Sequence, residues 1–388
     1  MTVAFFFNYL NHHQVFVADE MHRLLGDDFA FVATLPLNAK ELKGGIDYST
    51  RPYCVVATAS DDNHRRAMSY AVTADVCVFG ACSEEYAVAR ATRNPNGLSF
   101  EVAERWLKRG WINIASPALL KWRLNYHRYY RKANFHKLCC SAFAAHDDQR
   151  MHAYRGKHYK WGYFTQVDEN WDVEAFLDVS TSGPTTLMWC SRFLVLKHPE
   201  LPVQMAAWLK AKGYKFNILM YGDEGNAAKH DTVYPRAELQ KMIEQLGVQD
   251  CVELMGSRPN GEVLDAMSKS AIFLFTSDRL EGWGAVANEA MSQGCVLVAS
   301  DKIGSAPYLV KEGYNGFMFE SERVDSLADK VEWLLTHREE CERMQQNARK
   351  TMHDIWSPRN AAESLITLIN DLLQGRDNSI AEGPCSKA

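Results

Sequence analysis

The sequence lacks several patterns by which whole classes of protein are recognised. No two of its ten cysteines form a Cys-x-x-Cys pair, and several stand within apolar runs. Buried, reduced thiols are therefore expected rather than a disulfide framework, which favours a cytoplasmic protein. The formal net charge is −5, so there is no general electrostatic case for binding nucleic acid.

Long hydrophobic runs are also missing. No stretch approaches the roughly 18 consecutive apolar residues that a membrane-spanning helix requires, so any membrane contact is expected to be peripheral. The N-terminal segment MTVAFFFNYL is apolar but short, and it lacks a basic region and a small-residue cleavage site. It is interpreted as a first β-strand rather than a signal peptide.

Short apolar runs that alternate with helical patterns are what the sequence does contain. Its 388 residues suffice for two domains, and strands that alternate with helices predict parallel sheets covered on both faces. We expect an α/β protein with two Rossmann-like domains and place the linker in the polar segment 166–184. The expected strands are 2–8, 29–35, 53–59, 76–81, 98–103, 185–191, 216–222, 251–256, 272–277, 295–300 and 316–320.

The segment EGWGAVANE, from Glu281 to Glu289, follows one expected strand and precedes another. It reads as a tight loop that opens a helix, with one carboxylate in the loop and one on the helix. With helical rise throughout, the carboxylates would lie roughly 12 Å apart along the axis. That is about the span of a sugar diphosphate, and a helix N-terminus between them suits an anion.

Three further segments follow expected strands, where ligands bind in open α/β sheets. Arg192 and Lys197 lie after the first strand of the second half and could neutralise a diphosphate without a metal. Gly222, in YGDEG, permits a tight turn and a close ligand approach, and Arg258 lies near a Pro-Asn-Gly turn. Solvated surface cations and ordinary turns remain the alternatives for these three segments.

The stretch 273–319, which contains the Glu-x7-Glu pair and ends in EGYNGFMF, strongly resembles the donor half of GT-B glycosyltransferases of the retaining family 4 type. The match covers about residues 185–320 well, whereas the N-terminal half resembles the family only in architecture. The resemblance implies two Rossmann-like domains that face a cleft. The expected domains are 1–168 with a C-terminal crossover helix at 357–374, then 185–356, and a disordered tail at 375–388.

The resemblance also implies roles for individual residues. Glu289 would accept hydrogen bonds from ribose hydroxyls, and Glu281 would contact hydroxyls of the donor sugar near the reacting carbon. Backbone amides would cap the sugar and the distal phosphate. The residues that would supply these amides are Gly282, Trp283, Gly284 and Ala285.

Arg192 and Lys197 would stabilise the diphosphate as it leaves, which with Glu281 makes the expected catalytic set. Gly222 and Arg258 complete the expected donor site. The resemblance implies no metal and no cofactor, with the nucleotide sugar as co-substrate. In line with this, no Asp-x-Asp follows an apolar strand, and Asp61-Asp62 is interpreted as a loop.

The implied reaction moves a hexosyl group, with retention, from a UDP-sugar more readily than a GDP-sugar to a hydroxyl of a saccharide or lipid-linked acceptor. One alternative is an epimerase or hydrolase of sugar nucleotides on the same fold. The other is a non-catalytic subunit that binds nucleotide sugar. Donor transfer or hydrolysis followed by mass spectrometry would distinguish an enzyme from a binding protein.

The acceptor side departs from the family pattern. The loop after the first strand has no glycine and carries Asn11, His12 and His13, while Glu104 and Arg105 follow the strand 98–103. These residues are candidates for contacts with the acceptor. A helix-capping asparagine with surface histidines, and a charge cluster at a helix start, remain the alternatives.

The run 119–137 is both basic and aromatic. A basic amphipathic stretch with interfacial aromatics suits an anionic membrane surface on the inner face of the membrane. A solvated helix that buries its aromatic residues is the alternative. The same composition fits single-stranded nucleic acid, but the net negative charge and the expected sugar site argue against this.

Overall fold

A computed structural model of the chain describes residues 1–36, 47–167, 184–225 and 231–388. The chain divides into two compact units. The first comprises Met1–Gln166 with Ile355–Ala388, and the second comprises Val167–Asp354. The expected linker at 166–184 lies almost wholly outside the described residues.

The first unit is built on a parallel sheet of seven strands in the order β3-β2-β1-β4-β5-β6-β7. Strand order reverses between β1 and β4, because the chain runs outward from β1 to one edge and from β4 to the other. The strands are β1 Val3–Phe7, β2 Phe29–Ala33, β3 Cys54–Val56, β4 Val76–Phe79, β5 Leu98–Ala103, β6 Phe135–Cys139 and β7 His158–Lys160.

The first five strands are those expected from the sequence, whereas β6 and β7 were not anticipated. Their charged and imidazole side chains conceal the strand pattern. His136, Lys137 and His158 are nevertheless buried, because neighbouring side chains pair with them inside the unit.

Helices cover the sheet of the first unit. They are α1 Val15–Leu25, α2 Asp61–Thr73, α3 Glu84–Arg93, α4 Pro117–Arg128, α5 Ala144–Arg150 and, after the second unit, the C-terminal helix Pro358–Leu373. Ser357 caps this last helix by accepting a hydrogen bond from the Asn360 amide. The helix packs against α1, with Leu365, Leu368 and Ile369 buried. Leu373, at the end of the helix, is exposed.

The C-terminal tail differs from the expectation of disorder. Its last residues run antiparallel beside β7, where the Cys385 amide donates to the Lys160 carbonyl at 2.7 Å and the Lys160 amide donates to the Ser386 carbonyl at 2.8 Å. Cys385 and Ser386 are buried. The tail is ordered because its backbone groups form hydrogen bonds with the edge of the sheet. Such bonds do not require apolar side chains, so the composition of the tail does not reveal them.

The second unit has a six-stranded parallel sheet in the order β10-β9-β8-β11-β12-β13. All six strands were expected. They are β8 Thr185–Cys190, β9 Phe216–Tyr221, β10 Val252–Gly256, β11 Ile272–Phe275, β12 Val296–Ser300 and β13 Gly316–Phe319. Strand order reverses between β8 and β11, and ligands of such sheets bind beyond the strand ends at this point.

Seven helices surround this second sheet. They are α6 Glu200–Ala211, α7 Arg236–Gln245, α8 Asn260–Ser268, α9 Val286–Ser292, α10 Ala306–Leu309, α11 Val324–Thr336 and α12 Arg338–Lys350 within the described residues, which makes the C-terminal helix Pro358–Leu373 α13. All ten cysteines are unpaired thiols, either buried or half-buried. Among the described residues, no helix is long and apolar enough to cross a bilayer.

Candidate functional site

The loop after β8 is tied to the end of β11, the strand beside it. The Trp189 indole donates to the Thr276 hydroxyl at 2.9 Å, and that hydroxyl donates to the Lys197 carbonyl at 2.7 Å. The Asp278 amide donates to the Leu196 carbonyl at 2.9 Å. These bonds fix Lys197 at the point where strand order reverses.

Lys197 contacts Glu281, which lies in the loop after β11. The ammonium group meets Oε2 of the carboxylate, and the Ser277 hydroxyl donates to the same oxygen at 3.2 Å. Each side chain of the ion pair is 13% exposed. The structure thus brings together two of the three side chains expected to act in catalysis.

His198, next to Lys197, was not identified from the sequence. Its backbone is left-handed, with φ at 49°. Its Nδ1 lies 2.7 Å from Oε1 of Glu200, and its Nε2 lies 3.7 Å from Oδ2 of Asp278. Burial alone would lower the pKa of His198, but the nearby carboxylates of Asp278 and Glu200 raise it to about 9. A charged imidazole therefore braces the turn that presents Lys197.

The segment 281–289 differs from the expected geometry in one respect. Helix α9 begins only at Val286, so the residues from Glu281 to Ala285 form a loop. The estimate of roughly 12 Å between the carboxylates assumed helical rise throughout and does not describe this loop. Glu289 lies in the first turn of α9, as expected.

Trp283 anchors this loop from within. Its ring is fully buried, and its indole donates to Oδ1 of Asn288 at 2.8 Å. Its carbonyl accepts from the Ser305 hydroxyl at 2.5 Å. Gly284 has φ at 76°, and a Cβ there would lie 2.3 Å from the Phe275 ring. The loop can therefore come this close to β11 only with glycine at that position.

Electrostatic coupling places Glu289 in the same region. Burial raises the pKa of the Cys190 thiol, at the end of β8, to about 12, while the Glu289 carboxylate adds to the rise and Lys197 opposes it. Arg192, whose side chain is 51% exposed, lies 3.4 Å from Asp231. The strand ends thus gather cations and carboxylates in one part of the second unit.

Gly222 and Arg258 follow the two strands next to β8 on one side. The Gly222 amide donates to the Gly256 carbonyl at 3.0 Å. Arg258 is exposed and opposes the rise that burial causes in the pKa of Tyr221, the last residue of β9. Both expected donor-site residues therefore lie at the carboxyl edge of the sheet.

In the first unit, the loop after β1 lies where strand order reverses. Oδ1 of Asn11 accepts from the His13 amide at 2.9 Å. The His13 ring stacks on Tyr163 with centroids 5.1 Å apart, and the rings of His12 and His13 are 3.8 Å apart. Tyr163 also donates to Oε1 of Glu104 at 2.9 Å. Tyr163, which the sequence did not reveal, thus connects two of the candidate acceptor contacts.

Arg105 is engaged elsewhere. Its guanidinium donates twice to Asp147, each time at 3.1 Å, and packs over the Phe143 ring at 4.9 Å. The side chains of Arg105 and Asp147 are 12% and 2% exposed. This paired, largely buried fork favours a structural role for Arg105.

Most aromatic residues of the run 119–137 are not exposed to solvent. Trp122, Tyr126 and Tyr130 are buried in the core, so the expectation of interfacial aromatics is wrong for these three. Lys137 lies on β6, fully buried, and donates to Glu101 at 2.9 Å. The exposed apolar residues in this region are aliphatic instead: Ile112, Leu120 and Leu124.

Residues 179–351 match the family Glycosyl transferases group 1. A GDP-mannose:cellobiosyl-diphosphopolyprenol alpha-mannosyltransferase of Xanthomonas oryzae pv. oryzae is 35% identical over 173 residues, 44% of this chain and 43% of that protein. The alpha-D-kanosaminyltransferase of Streptomyces kanamyceticus is 28% identical over 189 residues, 49% of this chain and 44% of that protein. The matched segment thus spans less than half the length of these relatives.

Solved structures agree over nearly the whole chain. Anabaena HepE in complex with UDP has a TM-score of 0.66 at 14% identity and covers 97% of this chain and 100% of its own. The apo lipopolysaccharide outer core galactosyltransferase WaaB also has a TM-score of 0.66 at 14% identity, with 97% and 99% covered. These likenesses confirm the two-domain GT-B fold, and with the family match they confirm the resemblance seen in the sequence.

Proposed function

We propose that this chain, a GT-B glycosyltransferase of the family 4 type, transfers a hexosyl group from a nucleoside diphosphate sugar to a hydroxyl of a saccharide or lipid-linked acceptor. The observation that carries the proposal is the contact between Lys197 and Glu281. It lies where strand order reverses in the sheet of the second unit, which is where ligands of such sheets bind.

The proposed chemistry follows from the charges at this place. When the glycosidic bond to the diphosphate breaks, negative charge grows on the phosphate oxygens, and a cation placed there lowers the barrier. Lys197 supplies that cation, and Arg192 supplies a second one from the same loop. Glu281 holds a donor hydroxyl, and Glu289 accepts from the ribose.

The proposal also includes the identity of the donor nucleotide and the kind of acceptor. Uracil is the base that the sequence resemblance favours. The mannosyltransferase relative, by its name, uses GDP-mannose and a cellobiosyl-diphosphopolyprenol, which supports a lipid-linked acceptor and makes GDP the competing nucleotide. Retention at the anomeric carbon is proposed from the resemblance, and the product's anomeric proton coupling in NMR would test it.

A donor panel tests the proposed reaction. Calorimetric titration with UDP and GDP identifies the nucleotide, and UDP- and GDP-hexoses are then incubated with the wild type, with Glu281→Ala and with Glu339→Ala. Glu339 is an exposed glutamate of α12 and serves as the matched control. With a saccharide or lipid-linked acceptor present, we expect acceptor-dependent nucleotide release in the wild type and the control but not in Glu281→Ala.

Other outcomes of this panel identify the alternatives. Epimerised donor would indicate an epimerase. Release of free sugar at a rate that does not depend on an acceptor would indicate a hydrolase. Nucleotide binding without turnover of any donor would indicate a non-catalytic subunit. Equal turnover in the wild type and in Glu281→Ala would reject the proposed site.

We also propose that the first unit meets an anionic membrane surface on the cytoplasmic side through Ile112, Leu120 and Leu124. Ile112 is 82% exposed and Leu124 is 71% exposed. Arg128, Arg131 and Lys132 are exposed nearby in sequence, and cations beside apolar residues suit anionic lipid.

Co-sedimentation with vesicles tests this contact. We expect binding to phosphatidylglycerol-containing vesicles and loss of binding in Leu124→Glu. Leu246→Glu, at an exposed leucine of the second unit, is the control and should still bind. Equal binding by both variants, or none by the wild type, would reject the membrane contact.

A further inference from the structure

A cavity of about 450 Å³ lies within the first unit. Strands β4 and β5 contribute Phe79 and Glu101, α3 contributes Glu84, and α4 contributes Lys121 and Trp122. Its volume lies in the range of roughly 300–1,000 Å³ that is typical of small-molecule sites. The roles proposed above for the two units leave this cavity unassigned.

Five of its twelve lining residues are aromatic: Phe79, Trp106, Trp122, Tyr130 and Phe135. The rings of Trp106 and Trp122 lie 5.2 Å apart and are tilted by 38°. Among the described residues that line the cavity, none is Leu, Ile, Val or Met. A site for an aliphatic chain would normally use such residues, whereas flat aromatic faces suit the C–H faces of a pyranose ring.

A carboxylate lies among these rings. The Glu101 side chain is 15% exposed. Its Oε1 accepts from the Trp122 indole at 2.7 Å, and its Oε2 accepts from Lys137 at 2.9 Å. These two bonds hold the group in place, and each oxygen keeps a further lone pair that can accept from a hydroxyl. An aromatic wall with a held carboxylate is the chemistry by which proteins recognise sugars.

Trp106 supplies a second polar group. Its indole Nε1 is buried and has no hydrogen-bond partner among the described residues. A buried donor without an acceptor costs free energy, and an oxygen atom of a ligand bound beside this ring would supply the acceptor. This points to a ligand that carries oxygen atoms rather than a purely apolar one.

We propose that this cavity binds one saccharide unit, with its ring against Trp106 and Trp122 and a hydroxyl donating to Glu101. The inference rests on the proposed glycosyl transfer in one respect: the bound unit belongs to the acceptor. Glu84 and Lys121, which pair at 2.7 Å, belong to the same lining and offer further contacts to hydroxyls.

Saturation-transfer NMR on the full chain tests the site with octyl β-D-glucopyranoside and with the methyl glycosides of glucose, mannose, galactose and N-acetylglucosamine. Saturating UDP and GDP are present to occupy the donor site. We expect saturation of the ring protons of at least one glycoside. Ala118→Leu fills the cavity from an exposed position of its lining and should weaken binding about tenfold or more.

Two further variants separate the site from a general loss of structure. Ala115→Leu makes the same change at an exposed alanine outside the lining and should leave binding intact. Trp106→Phe keeps one aromatic ring but removes the N–H together with the second ring of the indole, so it should weaken binding less than Ala118→Leu. Thermal melting checks that each variant folds.

The outcomes also separate this inference from the proposed function. Saturation confined to the octyl chain, no saturation with any glycoside, or binding unchanged in Ala118→Leu would overturn the saccharide site. Inactivity towards every nucleotide sugar would reject the transfer reaction. The saccharide site would still stand if a glycoside signal were seen and Ala118→Leu weakened it. Transfer activity without such a signal would support the transfer reaction and overturn the saccharide site.

Discussion

Lys197 and Glu281 are 84 residues apart in sequence, yet the ammonium of one contacts the carboxylate of the other. The two come from the loops after β8 and β11, and the bonds of Thr276 and Asp278 hold those loops together. Each partner fixes the other, so both proposed catalytic side chains are already in place. A diphosphate that Lys197 is to stabilise must share or displace the carboxylate.

Removal of the Lys197 charge is the first prediction. Lys197→Met keeps the length of the side chain but leaves the departing diphosphate without its cation. We expect turnover to fall about 100- to 1,000-fold, as when a single stabilising donor is deleted from an active site. Donor turnover under saturating substrate measures the effect.

Lys212→Met is the control for this variant. Lys212 pairs with Glu332 at 2.9 Å on the surface of the same unit, and its loss should leave turnover unchanged. A fall of equal size in both variants would mean that Lys197 acts only through the fold.

The second prediction concerns metals. In the proposed reaction, two cations at the leaving diphosphate would do the work that a divalent ion does in metal-dependent transfer. We therefore expect EDTA to leave the rate unchanged. Loss of activity in EDTA that Mg²⁺ or Mn²⁺ restores would contradict the proposed roles of Arg192 and Lys197.

The third prediction follows from the pKa of His198: burial alone would lower it, but the nearby carboxylates of Asp278 and Glu200 raise it from 6.5 to about 9. A raised pKa means that the fold favours the protonated form. This stabilisation is complete below about pH 6.5 and is lost as the pH rises through about 9. The melting temperature of His198→Gln should therefore fall furthest below that of the wild type near pH 6, and the gap should narrow above pH 9.

His353→Gln is the matched control, because His353 is an exposed histidine of the same unit that contacts Asp354. Its melting temperature should follow the wild type at every pH. A gap for His198→Gln that stays constant with pH would show that His198 acts by packing rather than by charge.

The sequence predicted the parallel strands with apolar runs and the position of the candidate site residues just after them, because both signals are local. Strands β6 and β7 were not predicted, because Lys137 and His158 interrupt the apolar pattern of a buried strand. Only the folded unit supplies the partners that permit their burial. His198 escaped notice for a similar reason. Glu200 is its neighbour in sequence, but Asp278 approaches it only across the sheet. The indole of Trp283 is held inside the unit by Asn288, and the backbone carbonyl of Trp283 is held by Ser305. Spacing alone reveals neither contact.

The fourth prediction concerns Gly222, whose φ is 124°. A Cβ at this position would lie 1.8 Å from the Ser191 carbonyl oxygen, so the turns after β8 and β9 would have to move apart. We expect Gly222→Ala to destabilise the protein by about 2 kcal/mol or more. Gly247→Ala should cost only about 1 kcal/mol, because Gly247 has a positive φ but nothing within 4 Å of a Cβ. Urea unfolding compares the two, and equal losses would contradict the steric argument.

The fifth prediction concerns the buried Lys137, which lies 2.9 Å from Glu101 and 3.9 Å from Asp148. Burial alone would lower the pKa of Lys137, but the two carboxylates raise it, so the folded protein holds it charged. Lys137→Met would leave both carboxylates without their cation, which should cost about 3–5 kcal/mol in urea unfolding at neutral pH.

Lys121→Met is the comparison, because the pair of Lys121 with Glu84 is largely exposed and is worth no more than about 1 kcal/mol. If Lys137→Met were as stable as Lys121→Met at neutral pH, the charge of Lys137 would not be required inside the first unit. The held carboxylate of Glu101, on which the saccharide site depends, would then need another support.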